Sequence, residues 1–179
     1  TGAFVLIVHS DLTKHHAAEA LLTDTGTHLR QIIDLWRTLR PYQELANHLR
    51  GDQPRSVAVT GLAGSSESFL LHALASEFNN PVLVVARHSD EAADLYEDLL
   101  TLMPEKKLGY YPSRQILPYD FRAPVGEIMG QRLSTLSGLL DGDKSVIICS
   151  VRALMEPTIT VRQLRESRVD IRVGAEIDL

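Results

Sequence analysis

The sequence predicts an α/β domain with a mainly parallel sheet, on three observations. Short apolar runs recur at Val57-Ala58-Val59, Pro81 to Ala86, Leu108 to Tyr111 and Val146 to Cys149. Between them lie stretches with apolar residues at helical spacing, such as Ala92, Leu95, Tyr96, Leu99 and Met103. Strands apolar on both sides that alternate with amphipathic helices belong to parallel sheets covered on both faces. A chain of 179 residues suffices for one packed core plus a tail.

Taken in order, Ala3 to Val8 reads as a strand, residues 11 to 22 as a short helix, and Thr23 to Thr27 as a break. From His28, the spacing of Leu29, Ile32, Ile33, Trp36 and Leu39 predicts a helix that stops at Arg40, before Pro41. Trp36 is a packing residue on that spacing. A second short helix carries Leu45 and Leu49 and ends at Gly51. Val57 to Thr60 then forms a strand that leads through Gly61 into a helix over 66–78, with Leu70, Leu71, Leu74 and Phe78 on its apolar side and Ser65 or Ser66 as N-cap.

The run from Pro81 to Ala86 is a buried strand, and Ser89 or Asp90 caps the helix after it. Leu108 to Tyr111 is another short strand. Residues 112 to 126 contain Pro112, Pro118 and Pro124 in a loop longer than usual, a kind that is often functional or interfacial. A helix over Glu127 to Leu140 has Ile128, Leu133, Leu136, Leu139 and Leu140 as its core stripe, and Asp141-Gly142-Asp143 stops it before the strand at Val146. Arg132 is expected to anchor the proline loop by pairing with Asp120, with modest stabilising value. Beyond Pro157 the chain reads as less compact, and Val169, Ile171 and Val173 alternate with charged residues as in an edge strand.

Hydrophobic residues make up 44% and charged residues 23%, ordinary for a globular protein. A net charge of −5 and a pI near 5.8 argue against strong non-specific nucleic-acid binding, which draws on clustered Lys and Arg. Cys149, the only cysteine, excludes an intrachain disulfide and a thiolate metal cage; it follows a β-branched run and reads as a buried, inert thiol. The N-terminal apolar run is too short to span a bilayer, and a reducing cytoplasm is the expected location. The chain opens with Thr1 and is expected to be an excerpt, cut between domains at its far end.

Residues 61 to 68 carry the most informative pattern. A functional phosphate loop reads G-x-x-x-x-G-K-[ST]: backbone N–H groups wrap the phosphates, lysine neutralises them and the hydroxyl holds Mg²⁺. Here Gly61 and Ser68 match, Gly64 lies between them, but Ser66 replaces the second glycine and Glu67 replaces the lysine. Glu67 would lie in the first helical turn, where a carboxylate suits the helix dipole, so Glu67→Gln is expected to lower stability by about 0.3–1 kcal/mol. Nor do carboxylates follow the strands at Ala86 or Cys149, where an ATPase keeps its Mg²⁺-holding acid; Arg87-His88-Ser89 and Ser150-Val151 follow instead. His15, His16 and Glu19 are the nearest approach to a metal cluster and are too few; no catalytic residue and no metal ligand is assigned. G-x-S-x-G is absent.

In order, Gly61-Leu62-Ala63-Gly64-Ser65, Pro81-Val82-Leu83-Val84-Val85, Leu117-Pro118-Tyr119-Asp120, Arg132-Leu133-Ser134-Thr135-Leu136 and Ser150-Val151-Arg152-Ala153-Leu154-Met155 resemble the N-terminal region of the bacterial transcription-repair coupling factors (Mfd), itself similar to the excinuclease subunit UvrB. The resemblance covers about residues 28 to 179. It implies a three-layer, helicase-like (P-loop-NTPase-like) domain with a degenerate nucleotide site, since UvrB keeps the loop lysine and the coupling factors do not. Implied with it are a degenerate UvrB-like domain 1a at 28–160 and the truncated start of a UvrA-binding-type module at 161–179; residues 1–27 resemble nothing in the family and are read as an N-terminal extension of unknown role. In the whole protein the family couples ATP- and Mg²⁺-dependent translocation on DNA to displacement of stalled RNA polymerase and recruitment of UvrA. No cofactor is expected for this segment, which would act as a non-catalytic scaffold or regulatory module. Two alternatives stay open: a UvrB-type DNA-binding excinuclease segment, which needs an aromatic hairpin and a basic face, and a weak P-loop nucleotide-binding enzyme, which needs a substitute for the lysine.

Overall fold

Strand β1 (Phe4–Ile7) is followed by helices α1 (Thr25–Thr38), α2 (Arg40–Leu49) and α3 (Ser66–Glu77). Strand β2 (Val82–Ala86), helix α4 (Ser89–Leu102), a 3₁₀ turn at Glu105–Lys107 and strand β3 (Leu108–Tyr111) come next. The order closes with α5 (Gly126–Leu140), β4 (Val146–Ser150), α6 (Val151–Met155) and α7 (Val161–Glu166). This computed structural model describes residues 4–7, 25–51, 56–78, 80–103, 105–114 and 126–168. The helix at 11–22, the His15-His16-Glu19 group, the Leu117 to Asp120 segment and the strand at 169–173 lie outside them.

The strands pair in parallel in the order β1-β2-β4-β3, with Phe4 opposite Val82, Val82 opposite Val146 and Leu108 opposite Val146. Alternate side chains feed opposite faces. Val82, Val84, Leu108, Val146 and Ile148 pack against Ala92, Leu95 and Leu99 of α4, Met103 at its C-cap and Leu71 of α3. On the other face Val85, Tyr111, Ile147 and Cys149 meet Ala153 of α6 and Leu136 and Leu139 of α5. Each such Leu or Ile, moved fully out of water, stabilises by about 1.5–3 kcal/mol. The chain is thus a mixed α/β domain with a small parallel sheet, covered by helices on both faces. A third cluster joins Ile33, Tyr42, Leu45 and Ala46 to Leu70, Ala73 and Leu74, so α3 bridges the sheet and the α1–α2 pair; Trp36 packs at its border.

Several expectations are corrected. Residues 56–63 form no strand, and Ala58, Val59 and Thr60 are exposed. The reason is competition for a ladder: β2 already has β1 on one side and β4 on the other, leaving no open edge beside it for Val57 to Thr60. Val57 and Leu62 pack instead against the helical cluster. Thr25 to Thr27 of the expected break are helical, since α1 starts at Thr25, and Pro41 opens α2 rather than closing α1. Proline suits a first helical turn because its missing N–H has no partner there. The chain changes direction at Leu39, whose φ −66° and ψ 131° are extended. The N-cap of α4 is His88, not Ser89 or Asp90.

Helix α5 departs most from its pattern. Leu133 and Leu140 are exposed, whereas Arg132 and Thr135 are buried. Gly109 explains the packing: a Cβ there would stand 2.7 Å from both Thr135 Cγ2 and Ile147 Cδ1, so its absence lets α5 settle onto β3. Thr135 Oγ1 then donates to the Tyr110 carbonyl at 2.7 Å. The helix ends as expected, with Gly142 at φ +76° and the Gly138 carbonyl accepting from the Asp143 and Lys144 N–H groups. Helix α7 buries none of its residues; beyond it Arg168 pairs with Asp141 at 2.8 Å.

Candidate functional site

The loop at the start of α3 keeps the glycine geometry of a tight turn, with Gly61 at φ +82° and Gly64 at φ +55°. Ser65 occupies the N-cap position without a side-chain cap bond. Ser66, the first helical residue, closes the turn instead of capping the helix: its Oγ accepts from the Ala63 N–H at 2.7 Å while its own N–H donates to the Ala63 carbonyl at 3.2 Å. A loop N–H that could point at a phosphate is therefore already bonded inside the turn.

The charges around this turn are negative. Glu67, half-buried in the first turn of α3, has its carboxyl pKa raised by burial first and then by the Glu91 and Asp98 carboxylates of α4. Ser68, 2% exposed, donates its hydroxyl to Asp98 Oδ2 at 3.3 Å, so the group that would face Mg²⁺ in a functional loop is turned into the α3–α4 contact. Where a nucleotide needs a cation, this loop presents Glu67. Two like unit charges about 4 Å apart repel by roughly 4 kcal/mol at an effective dielectric near 20. The residues present do not fit a phosphate group.

Parallel α/β sheets usually bind ligands beyond the carboxyl ends of their strands. At the ends of β2 and β4 stand hydroxyls rather than a carboxylate pair: Ser89 Oγ lies 3.4 Å from Ser150 Oγ, and Ser150 Oγ accepts from the Ala153 N–H at 3.3 Å to cap α6. Cys149 is buried beneath them, its thiol pushed up to about 11 by burial. Among the described residues no group of three or more His, Cys, Asp or Glu side chains is placed to hold a metal, and no helix is long and apolar enough to cross a membrane.

The polar centre that sequence reasoning missed lies across the sheet. Arg132, 2% exposed, donates to the Pro112 carbonyl at 2.7 Å, the Tyr111 hydroxyl at 2.6 Å and Glu156 Oε2 at 2.9 Å, with its Cζ 4.0 Å from the Tyr111 ring centre. Glu156 also accepts from the Arg114 N–H, and the Tyr111 hydroxyl donates to Thr158 Oγ1 at 2.9 Å. The partner of Arg132 among described residues is thus Glu156; Asp120 lies outside them. The available signal was Arg132 and Thr135 at i, i+3 on one helical face, masked by the more numerous leucines.

No family model matches the chain, and no solved structure matches it. Curated relatives do. Over 120 residues, 67% of the chain, it is 26% identical to the transcription-repair-coupling factor of Bacillus subtilis (strain 168). Over 121 residues, 68% of the chain, it is 26% identical to the proteins of that name from Staphylococcus aureus strains bovine RF122 / ET3-1 and USA300. The chain spans about one tenth of the length of these relatives, 10% in each. It therefore has distant, partial homology to the bacterial transcription-repair coupling factors, at the level of a general family relationship.

Proposed function

We propose that the chain is a non-catalytic scaffold or regulatory module from the N-terminal part of a transcription-repair coupling factor. Residues 28–160 would be its degenerate, helicase-like domain, 1–27 an extension that lends the sheet its β1 edge, and 161–179 the start of the next, UvrA-binding-type module. The parent protein would work in the cytoplasm, displacing stalled RNA polymerase from damaged DNA with ATP and Mg²⁺ and recruiting UvrA, with the motor on other domains. One observation carries the reading: the loop turn is bonded to itself through Ser66, and Glu67, Glu91 and Asp98 place carboxylates where a nucleotide would need cations.

Phosphate release from ATP and Mg²⁺ tests it, measured on the chain and on Glu67→Lys. Neither protein is expected to turn over, since restoring the lysine leaves Ser68 bonded to Asp98 and the strand ends without carboxylates. Mg²⁺-dependent turnover by either one overturns the reading.

A further inference from the structure

Two segments of the chain suit one place in the sheet. Val57-Ala58-Val59-Thr60 has strand-forming residues and leads through Gly61, at φ +82°, into α3, yet it joins no ladder among the described residues. Ala58, Val59 and Thr60 are exposed. Phe4–Ile7 holds the edge of β2 instead, in parallel, with Val5 opposite Leu83.

The topology shows where a strand at 57–60 would go. Helices α3 and α4 cover the same sheet face, since Leu71 shares one cluster with Leu95, Leu99, Val84 and Ile148. From β2 the chain crosses that face through α4 to β3, away from β1 in the order β1-β2-β4-β3. A strand at 57–60 that led through α3 to β2 would have the same hand only by starting on the β1 side of β2. Parallel crossovers keep one hand in about 98% of cases. Beside β2 that position is the one Phe4–Ile7 holds, because β4 takes the other side. Composition decides between the two. A sheet covered on both faces favours a continuous apolar run, which Phe4-Val5-Leu6-Ile7 is; Val57-Ala58-Val59-Thr60 carries a small residue and a hydroxyl.

We propose that Phe4–Ile7 is a removable competitor strand: when it leaves β2, Val57 to Thr60 takes its place and reseats the loop Gly61 to Ser68 at the carboxyl end of a sheet strand. Glu67 moves with the loop, so the exchange changes the loop's support and not its charge.

Amide hydrogen exchange on the 179-residue chain tests this. The Val82 N–H donates to the Ser145 carbonyl, so the alternation of a parallel ladder turns the Leu83 and Val85 N–H groups toward β1 and the Leu6 N–H back toward β2. As β1 opens, Val57 to Thr60 covers Leu83 and Val85 again, and these two amides are expected to exchange at least about tenfold more slowly than Leu6. In the full-length chain carrying Val5→Pro and Leu6→Pro, which cannot hold the ladder, the amides of residues 57–60 are expected to gain about tenfold protection or more while Leu83 and Val85 keep theirs. Equal exchange of Leu6, Leu83 and Val85 in the unaltered chain overturns the proposal. So does protection of residues 57–60 already in the unaltered chain, or its absence in a variant whose β4 amides stay protected. The comparison within the unaltered chain decides the matter even where the variant does not fold.

Discussion

Arg132 on α5 and Glu156 after α6 meet at 2.9 Å in the interior, although 24 residues separate them. The pair ties together the end of β3, the middle of α5 and the segment that leads into α7. Breaking a buried ion pair strands the remaining charge, at a typical cost of about 3–5 kcal/mol. Arg132→Ala is expected to destabilise by about 3 kcal/mol, the lower end because Glu156 keeps some exposure. Arg132→Lys should recover little, since one ammonium cannot reach Pro112, Tyr111 and Glu156 in the same fork. Urea unfolding checks both; a loss under about 1 kcal/mol for Arg132→Ala contradicts the structural role given to the pair.

The approach of α5 to β3 depends on a missing Cβ. Gly109→Ala would press a methyl against Thr135 Cγ2, which is stiff, and Ile147 Cδ1, which can yield. The expected loss is about 1–3 kcal/mol. Thr135→Ser in the same chain should restore part of it, because the hydroxyl bond to Tyr110 survives while the methyl goes. Equal stability of Gly109→Ala and the parent by thermal unfolding would count against this packing.

Glu67 reverses its sequence-based expectation. The dipole of α3 favours a carboxylate in the first turn, but burial and the Glu91 and Asp98 carboxylates raise the Glu67 pKa above the ordinary glutamate value. With a raised folded pKa the native state holds its proton more tightly than the unfolded chain, so stability falls as pH rises through this range. Glu67→Gln should therefore stabilise at pH 7, by about 0.5 kcal/mol on the scale of like-charge pairs. The gain should vanish in acid, below the ordinary glutamate pKa. Denaturation of both proteins across that range measures it, and a destabilised variant at pH 7 contradicts the balance.

Cys149 provides a probe of the core. With its thiol near 11, about one molecule in a thousand carries thiolate at pH 8, and the side chain is buried on the sheet. A disulfide reagent is expected to leave it unmodified in the native chain and to react at once in denaturant. Rapid native-state labelling would show that the α6 side of the sheet opens.

The parallel sheet was legible in the sequence because three of its strands are continuous apolar runs, and α4 because Ala92, Leu95 and Leu99 hold strict helical spacing. Two features were not legible, for different physical reasons. Val57 to Thr60 has strand-forming residues, but strand formation depends on a free ladder, which pairing of β1 with β2 decides from far along the chain. The pattern points Arg132 toward Asp120 as a loop anchor and does not show that it is buried; the acceptors that hold it inside, Pro112, Tyr111 and Glu156, lie 20 to 24 residues away. At the loop, the lost lysine was plain from residue types alone. The Ser66 to Ala63 bond and the convergence of Glu91 and Asp98 required the fold.

The most direct test of the account is equilibrium titration of the chain with a fluorescent ATP analogue and Mg²⁺. With the turn closed on Ser66 and carboxylates gathered at Glu67, no saturable binding is expected up to about 1 mM nucleotide. Binding in the micromolar range that disappears on Ser66→Ala or Ser68→Ala would contradict it.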